Sequence, residues 1–124
     1  MKPIKFIDIT LREAANLREN ALTFKEKLEI ARLLDRLKVD IIELPAIKGG
    51  KADQLYNKTI ASLLNTAITV AVDITESSVE ETWETIRGAG KPRLNVIAPV
   101  SPVQMEYTAH KKAPAMLEMI REKL

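Results

Sequence analysis

No cysteine occurs among the 124 residues. That excludes disulfides, iron–sulfur ligation, thiolate zinc sites and cysteine nucleophiles together. The single histidine, His110, stands beside Lys111 and Lys112. It has no second imidazole to share a metal and no serine–aspartate constellation around it, so a solvated loop position is expected. Aromatic residues are only 4% of the chain, too few for base-stacking platforms. Neither sign of charge dominates: 19 basic against 17 acidic residues leave +2, which gives no reason to expect a nucleic acid. No run approaches the roughly 20 apolar residues of a membrane span. Met1-Lys2-Pro3-Ile4 opens no long apolar stretch of the kind a signal peptide has, so none is expected. A cytoplasmic protein without membrane or nucleic-acid partners is expected. Glycine is also scarce, and the one Gly-Gly pair lies in Lys48-Gly49-Gly50-Lys51. That segment lacks the phosphate-loop pattern and reads as a flexible loop.

What is present is an alternation of strand and helix. Ile4 to Ile9 is an apolar run and a strand candidate. Thr23 and Glu26 form a capping box that opens a helix through Leu28, Ala31, Leu34 and Leu37. Val39 to Leu44 is the second strand, stopped by Pro45, and a helix runs from about Asp53 to Leu64. In the third strand, Ala67 to Ile74, large residues (Ile68, Val70, Val72, Ile74) share one face and Thr69, Ala71 and Asp73 the other. The first face suits packing under helices, the second a crowded barrel interior. Ser78 and Glu81 form another capping box; its helix carries Trp83 as a helix-to-sheet packing residue and ends at Gly88 and Gly90. Leu94 to Val100 is the fourth strand. Pro114 opens a last helix through Met116, Leu117 and Ile120. Residues 1–124 thus read as one α/β domain of four parallel βα units joined by right-handed crossovers. Four such units make half of a (β/α)8 barrel. Two open edge strands and an uncovered face would seek a partner, so a homodimer or a separate C-terminal half barrel is expected.

The chemistry concentrates at the exit of the first strand. Asp8-Ile9-Thr10-Leu11-Arg12-Glu13-Ala14-Ala15-Asn16 follows directly on the first apolar run. Side chains there project into the ligand-binding mouth of a parallel α/β protein. An aspartate can hold a hard cation, and an arginine four residues on can hold a carboxylate or a developing oxyanion.

This stretch resembles the opening motif Asp-x-Thr-Leu-Arg-Asp-Gly-x-Gln of the DRE-TIM metallolyases, the HMG-CoA lyase-like family that includes isopropylmalate, homocitrate and citramalate synthases. Two more segments, in the right order, carry the resemblance: Ile41-Ile42-Glu43-Leu44-Pro45, and Ser101-Pro102-Val103-Gln104-Met105-Glu106-Tyr107. The resemblance implies half of a TIM barrel and carbon–carbon bond formation or cleavage at a 2-oxo acid, with an acyl-CoA as the other substrate. It implies a divalent cation (Mg, Mn or Zn) on Asp8, and catalytic roles for Arg12 and Glu43. Arg12, Glu13, Ser101 and Gln104 would contact substrate. The departures are Glu13, Ala14, Asn16 and Gln104, where the family has Asp, Gly, Gln and His. The family's His-x-His metal ligands have no counterpart in these residues. A non-catalytic half-barrel module that assembles and binds a small carboxylate is the alternative reading.

Overall fold

A computed structural model describes residues 1–17 and 21–124. Its elements, in chain order, are β1 (Ile7–Asp8), α1 (Thr10–Ala14), α2 (Phe24–Leu37), β2 (Ile41–Leu44), α3 (Lys51–Leu63), β3 (Ala67–Asp73), α4 (Val79–Ile86), β4 (Pro92–Ile97), α5 (Pro102–Tyr107) and α6 (Ala113–Lys123). The four strands are parallel and lie in the order β1-β2-β3-β4. Sequential parallel neighbours, each joined by a helical crossover, are the geometry of consecutive units of a (β/α)8 barrel.

One face of the sheet carries the core. Ile42 and Leu44 of β2 and Ile68 and Val70 of β3 pack with Ala31 of α2, Ile60 and Ala61 of α3 and Ile86 of α4. The alternation read in β3 is the reason: its large residues face the helices. On the opposite face stand Glu43, Thr69, Ala71 and Asn95, which the register sets side by side (Glu43 with Thr69, Ala71 with Asn95). That face is uncovered toward β4, where Arg93, Asn95 and Ile97 are exposed while Leu94 and Val96 are half-buried. Exposed apolar residues gather at both sheet edges: Ile4, Phe6 and Ile7 along β1, Val100, Val103 and Tyr107 beyond β4.

The boundaries follow local chemistry. β1 is shorter than the apolar run around it; before Ile7 the chain is held instead by Asp40, whose carboxylate accepts the Phe6 N–H at 2.8 Å. The α2 capping box is complete, with Thr23 Oγ1 accepting from Glu26 N–H and Glu26 accepting from Thr23 N–H. The second box is half-made: Ser78 Oγ accepts the Glu81 N–H, but the Glu81 side chain takes the amide of Gln54 on α3 instead. The helix α2 stops on Lys38, a non-glycine residue in the left-handed region (φ 60°). By contrast, α4 ends on right-handed Arg87, ahead of Gly88 and Gly90. Trp83 is 41% exposed and does not serve as the helix-to-sheet packing residue; Thr82 and Ile86 fill that face. β4 begins two residues earlier than its apolar run, at Pro92. Ile68 N–H bonds the carbonyl of Lys91, so the Pro92 nitrogen faces the free edge and no ladder bond is lost.

Asp35, in the last turn of α2, ties that helix to the entry of β3. One oxygen accepts the N–H groups of Asn65 (3.1 Å) and Thr66 (2.8 Å) and the Thr66 hydroxyl (2.7 Å). These donors, the Thr66 side chain first, hold its pKa below the ordinary aspartate value. A depressed carboxylate stabilises the fold above its unfolded pKa and loses that contribution as pH falls through the folded one. Urea unfolding should therefore show Asp35→Asn less stable than the parent at pH 7, with the gap closing as pH drops below about 4. A gap that stays constant across that range would remove this account.

Candidate functional site

Arg12 reaches β2 because of how the chain leaves β1. Asp8 Oδ1 accepts the Thr10 N–H at 2.9 Å, and Oδ2 accepts the Thr10 hydroxyl at 3.2 Å. An aspartate that bonds its own backbone two residues on turns the chain, and α1 starts at once. Leu11 and Ala14, three apart, are its buried face. Leu11 belongs to the same apolar cluster as Ile42 and Leu44. That anchor sets Arg12 against β2.

There Arg12 meets a buried acid. Glu43 is 3% exposed. Its Oε1 accepts from Arg12 Nη1 at 3.2 Å and from Asn95 Nδ2 at 2.9 Å. Arg12 Nε donates to Glu13 Oε1 at 2.8 Å, with Nη2 2.7 Å from the same oxygen. The bond to Glu13 raises the Arg12 pKa above its ordinary value; partial burial opposes the rise and Glu43 adds to it. The guanidinium is therefore a permanent cation. Nη1 and Nη2 each keep a proton uncommitted to the described residues.

In front of Arg12 lies a cavity of ≈ 640 Å³ at the C-terminal ends of the strands, walled by Pro45 and Ala46 after β2, Ala71 and Asp73 of β3 and Ile97 of β4. The helices add Phe24, Lys27 and Tyr56. Phe24 meets the Tyr56 ring edge-on at 5.8 Å, and Lys27 Nζ stands 5.1 Å from its centre. Burial pushes the Tyr56 phenol up to about 12, so it stays protonated at neutral pH. Glu43 and Asn95 do not line this cavity. Lys48 lines the rim and pairs with Glu76 at 3.2 Å.

The structure thus joins Arg12, Glu13 and Glu43 by ion pairs and gives Asp8, Ser101 and Gln104 local hydrogen bonds instead. Asp8 makes no ion pair with Arg12; its carboxylate serves the turn. Ser101 caps α5 by accepting the Gln104 N–H at 3.2 Å, and both are exposed and off the Arg12 cavity. Two contributors were not singled out from the sequence. Asn95 carries no motif of its own and reveals itself only through the register of β4. Asp73 had a readable signal: Asp73-Ile74-Thr75 repeats Asp8-Ile9-Thr10. Its Oδ1 accepts from Thr75 N–H (2.8 Å) and hydroxyl (2.6 Å), the same turn at the end of β3.

Comparison with known proteins identifies the family. The HMGL-like family model matches residues 3–124. The chain belongs to the HMGL-like family. The 2-isopropylmalate synthase of Geobacillus kaustophilus is 35% identical over 119 residues, 95% of this chain and 23% of the relative. That of Shouchella clausii is 37% identical over 108 residues, 86% of this chain and 21% of the relative. That of Lysinibacillus sphaericus is 32% identical over 124 residues, 98% and 24% respectively. The HMGL-like chain therefore spans about a quarter of the length of these relatives.

A divalent cation on Asp8 would find a lone pair left on each carboxylate oxygen, since each accepts one hydrogen bond from Thr10. Among the described residues no group of three or more His, Cys, Asp or Glu could hold a metal ion. Nor is any helix among them long and apolar enough to cross a membrane.

Arg12→Ala leaves the Glu43 carboxylate buried with only an amide donor. The expected cost is on the order of 2 kcal/mol in urea unfolding, below that of a fully buried pair because the Arg12 side chain is 30% exposed. Adding Glu43→Gln to Arg12→Ala should recover most of the loss; a double variant no better than Arg12→Ala would contradict the charge argument.

Proposed function

We propose that this chain carries the anion-recognising part of a synthase or lyase site, one that makes or breaks a carbon–carbon bond beside the carbonyl of a 2-oxo acid. Family membership and the 2-isopropylmalate synthases among its relatives support the reaction class. The observation that carries the reading is the Arg12 guanidinium on the cavity wall, oriented by two carboxylates, with protons left for a ligand. Those protons receive the substrate carboxylate, or the oxygen on which charge develops as an enolate forms. Lys27, a second cation on the wall, draws an anion to the same place.

Each remaining residue has a place in this reading. Glu43 lies off the wall and acts through Arg12, fixing the guanidinium before substrate arrives. Glu13 is 54% exposed and is the contact that a substrate carboxylate exchanges with on the Nε edge. Ser101 and Gln104, which follow β4 and lie off the Arg12 cavity, steady an acyl-CoA substrate in this reading. The reaction's remaining groups come from across the open face, supplied by a second copy or by a C-terminal half barrel.

Pyruvate, the simplest 2-oxo acid, serves as the probe. Calorimetric or NMR titration of the full chain should show saturable binding. Arg12→Lys keeps the charge but loses the planar fork, and should weaken the affinity about tenfold. No binding by the parent, or equal binding by Arg12→Lys, would refute this proposal.

A further inference from the structure

The contact between Asn95 and Glu43 spans the sheet. Glu43 is on β2 and Asn95 on β4, two strand spacings apart, about 9.6 Å. Between them, β3 presents Thr69 and Ala71 on the shared face. The register places Glu43 beside Thr69 and Asn95 beside Ala71. Ala71 is the smaller of the two, and its methyl leaves the space through which an amide and a carboxylate meet at 2.9 Å. Both donors of the triad fall on one oxygen, Oε1, so Asn95 and Arg12 approach the same atom from different strands. An amide nitrogen donates and never accepts, whereas an isosteric carboxylate does the reverse.

We infer that Asn95 is a positioning residue: from β4 it clamps Glu43 Oε1 and thereby fixes the orientation in which Arg12 presents its free N–H groups to an anion. The inference rests on the reading of Arg12 given above, and adds a residue that touches neither the cavity nor the ligand. It assigns Ala71 a function as well, that of keeping the bridge over β3 open. Without the amide, Glu43 is drawn wholly to Arg12, and the guanidinium rotates with it.

The arginine side-chain signals of the full chain in ¹⁵N–¹H NMR report that orientation directly. The Arg12 signal is identified by its disappearance in Arg12→Lys. In the parent, its Nη protons should be resolved, because a clamped guanidinium does not rotate freely. In Asn95→Ala and Asn95→Leu they should merge and broaden, with backbone amides of β2 and β3 unchanged. Asn95→Gln keeps the donor and should restore them. Pyruvate affinity should fall about tenfold in Asn95→Ala and Asn95→Leu and return in Asn95→Gln. Freely rotating Arg12 protons in the parent would overturn the inference. So would resolved ones in Asn95→Ala, the smaller variant that keeps the fold should Asn95→Leu lose it. These signals are read without ligand, so a parent that fails to bind pyruvate would sink the proposed function while leaving the clamp to stand or fall by them.

Discussion

A carboxylate that is 3% exposed, on a sheet face that opens only toward β4, must find donors or carry a heavy desolvation cost. Glu43 is that group, and much of the mouth is arranged around its demand. One donor comes from α1, which exists because Asp8 turns the chain and Leu11 plugs into the apolar cluster. The other comes from β4, which must hold its register against β3 for Asn95 to reach. The same demand orders a cation at a cavity wall. Stability and the proposed recognition therefore draw on one set of contacts: Arg12 is the counter-ion of Glu43 and, in the function proposed above, the ligand donor.

The order and parallel pairing of strands were legible because strand pattern and helix caps agreed. Large residues on one face of β3 and the Thr23–Glu26 box are local signals, and both persist in the fold. What escaped sequence reading depended on contacts between distant residues. The Glu81 half of the second box lost to Gln54, which only the packing of α4 on α3 makes available. Helices α1 and α5 are five and six residues long, too short for a periodic signature. Lys38 gives no hint of a left-handed residue where glycine is the usual sign.

The same division runs through the site. The adjacency of Arg12 and Glu43 follows from two strand exits standing side by side, as their motifs suggested. Asp8 has a local use that its motif did not announce: a carboxylate two residues before a threonine accepts that residue's N–H and hydroxyl. The second Asp-Ile-Thr makes this plain, for Asp73 does the same at the end of another strand.

Pro92 sets a condition on whatever extends this sheet. Its ring nitrogen points outward, so the free margin of β4 opens with a missing donor. Outward N–H groups recur at Leu94 and Val96, with the alternation of a parallel ladder. An incoming strand must take its first rung there, two residues further along. The proline thus acts as an alignment stop for lateral growth, and it makes that margin a poor template for unregistered aggregation.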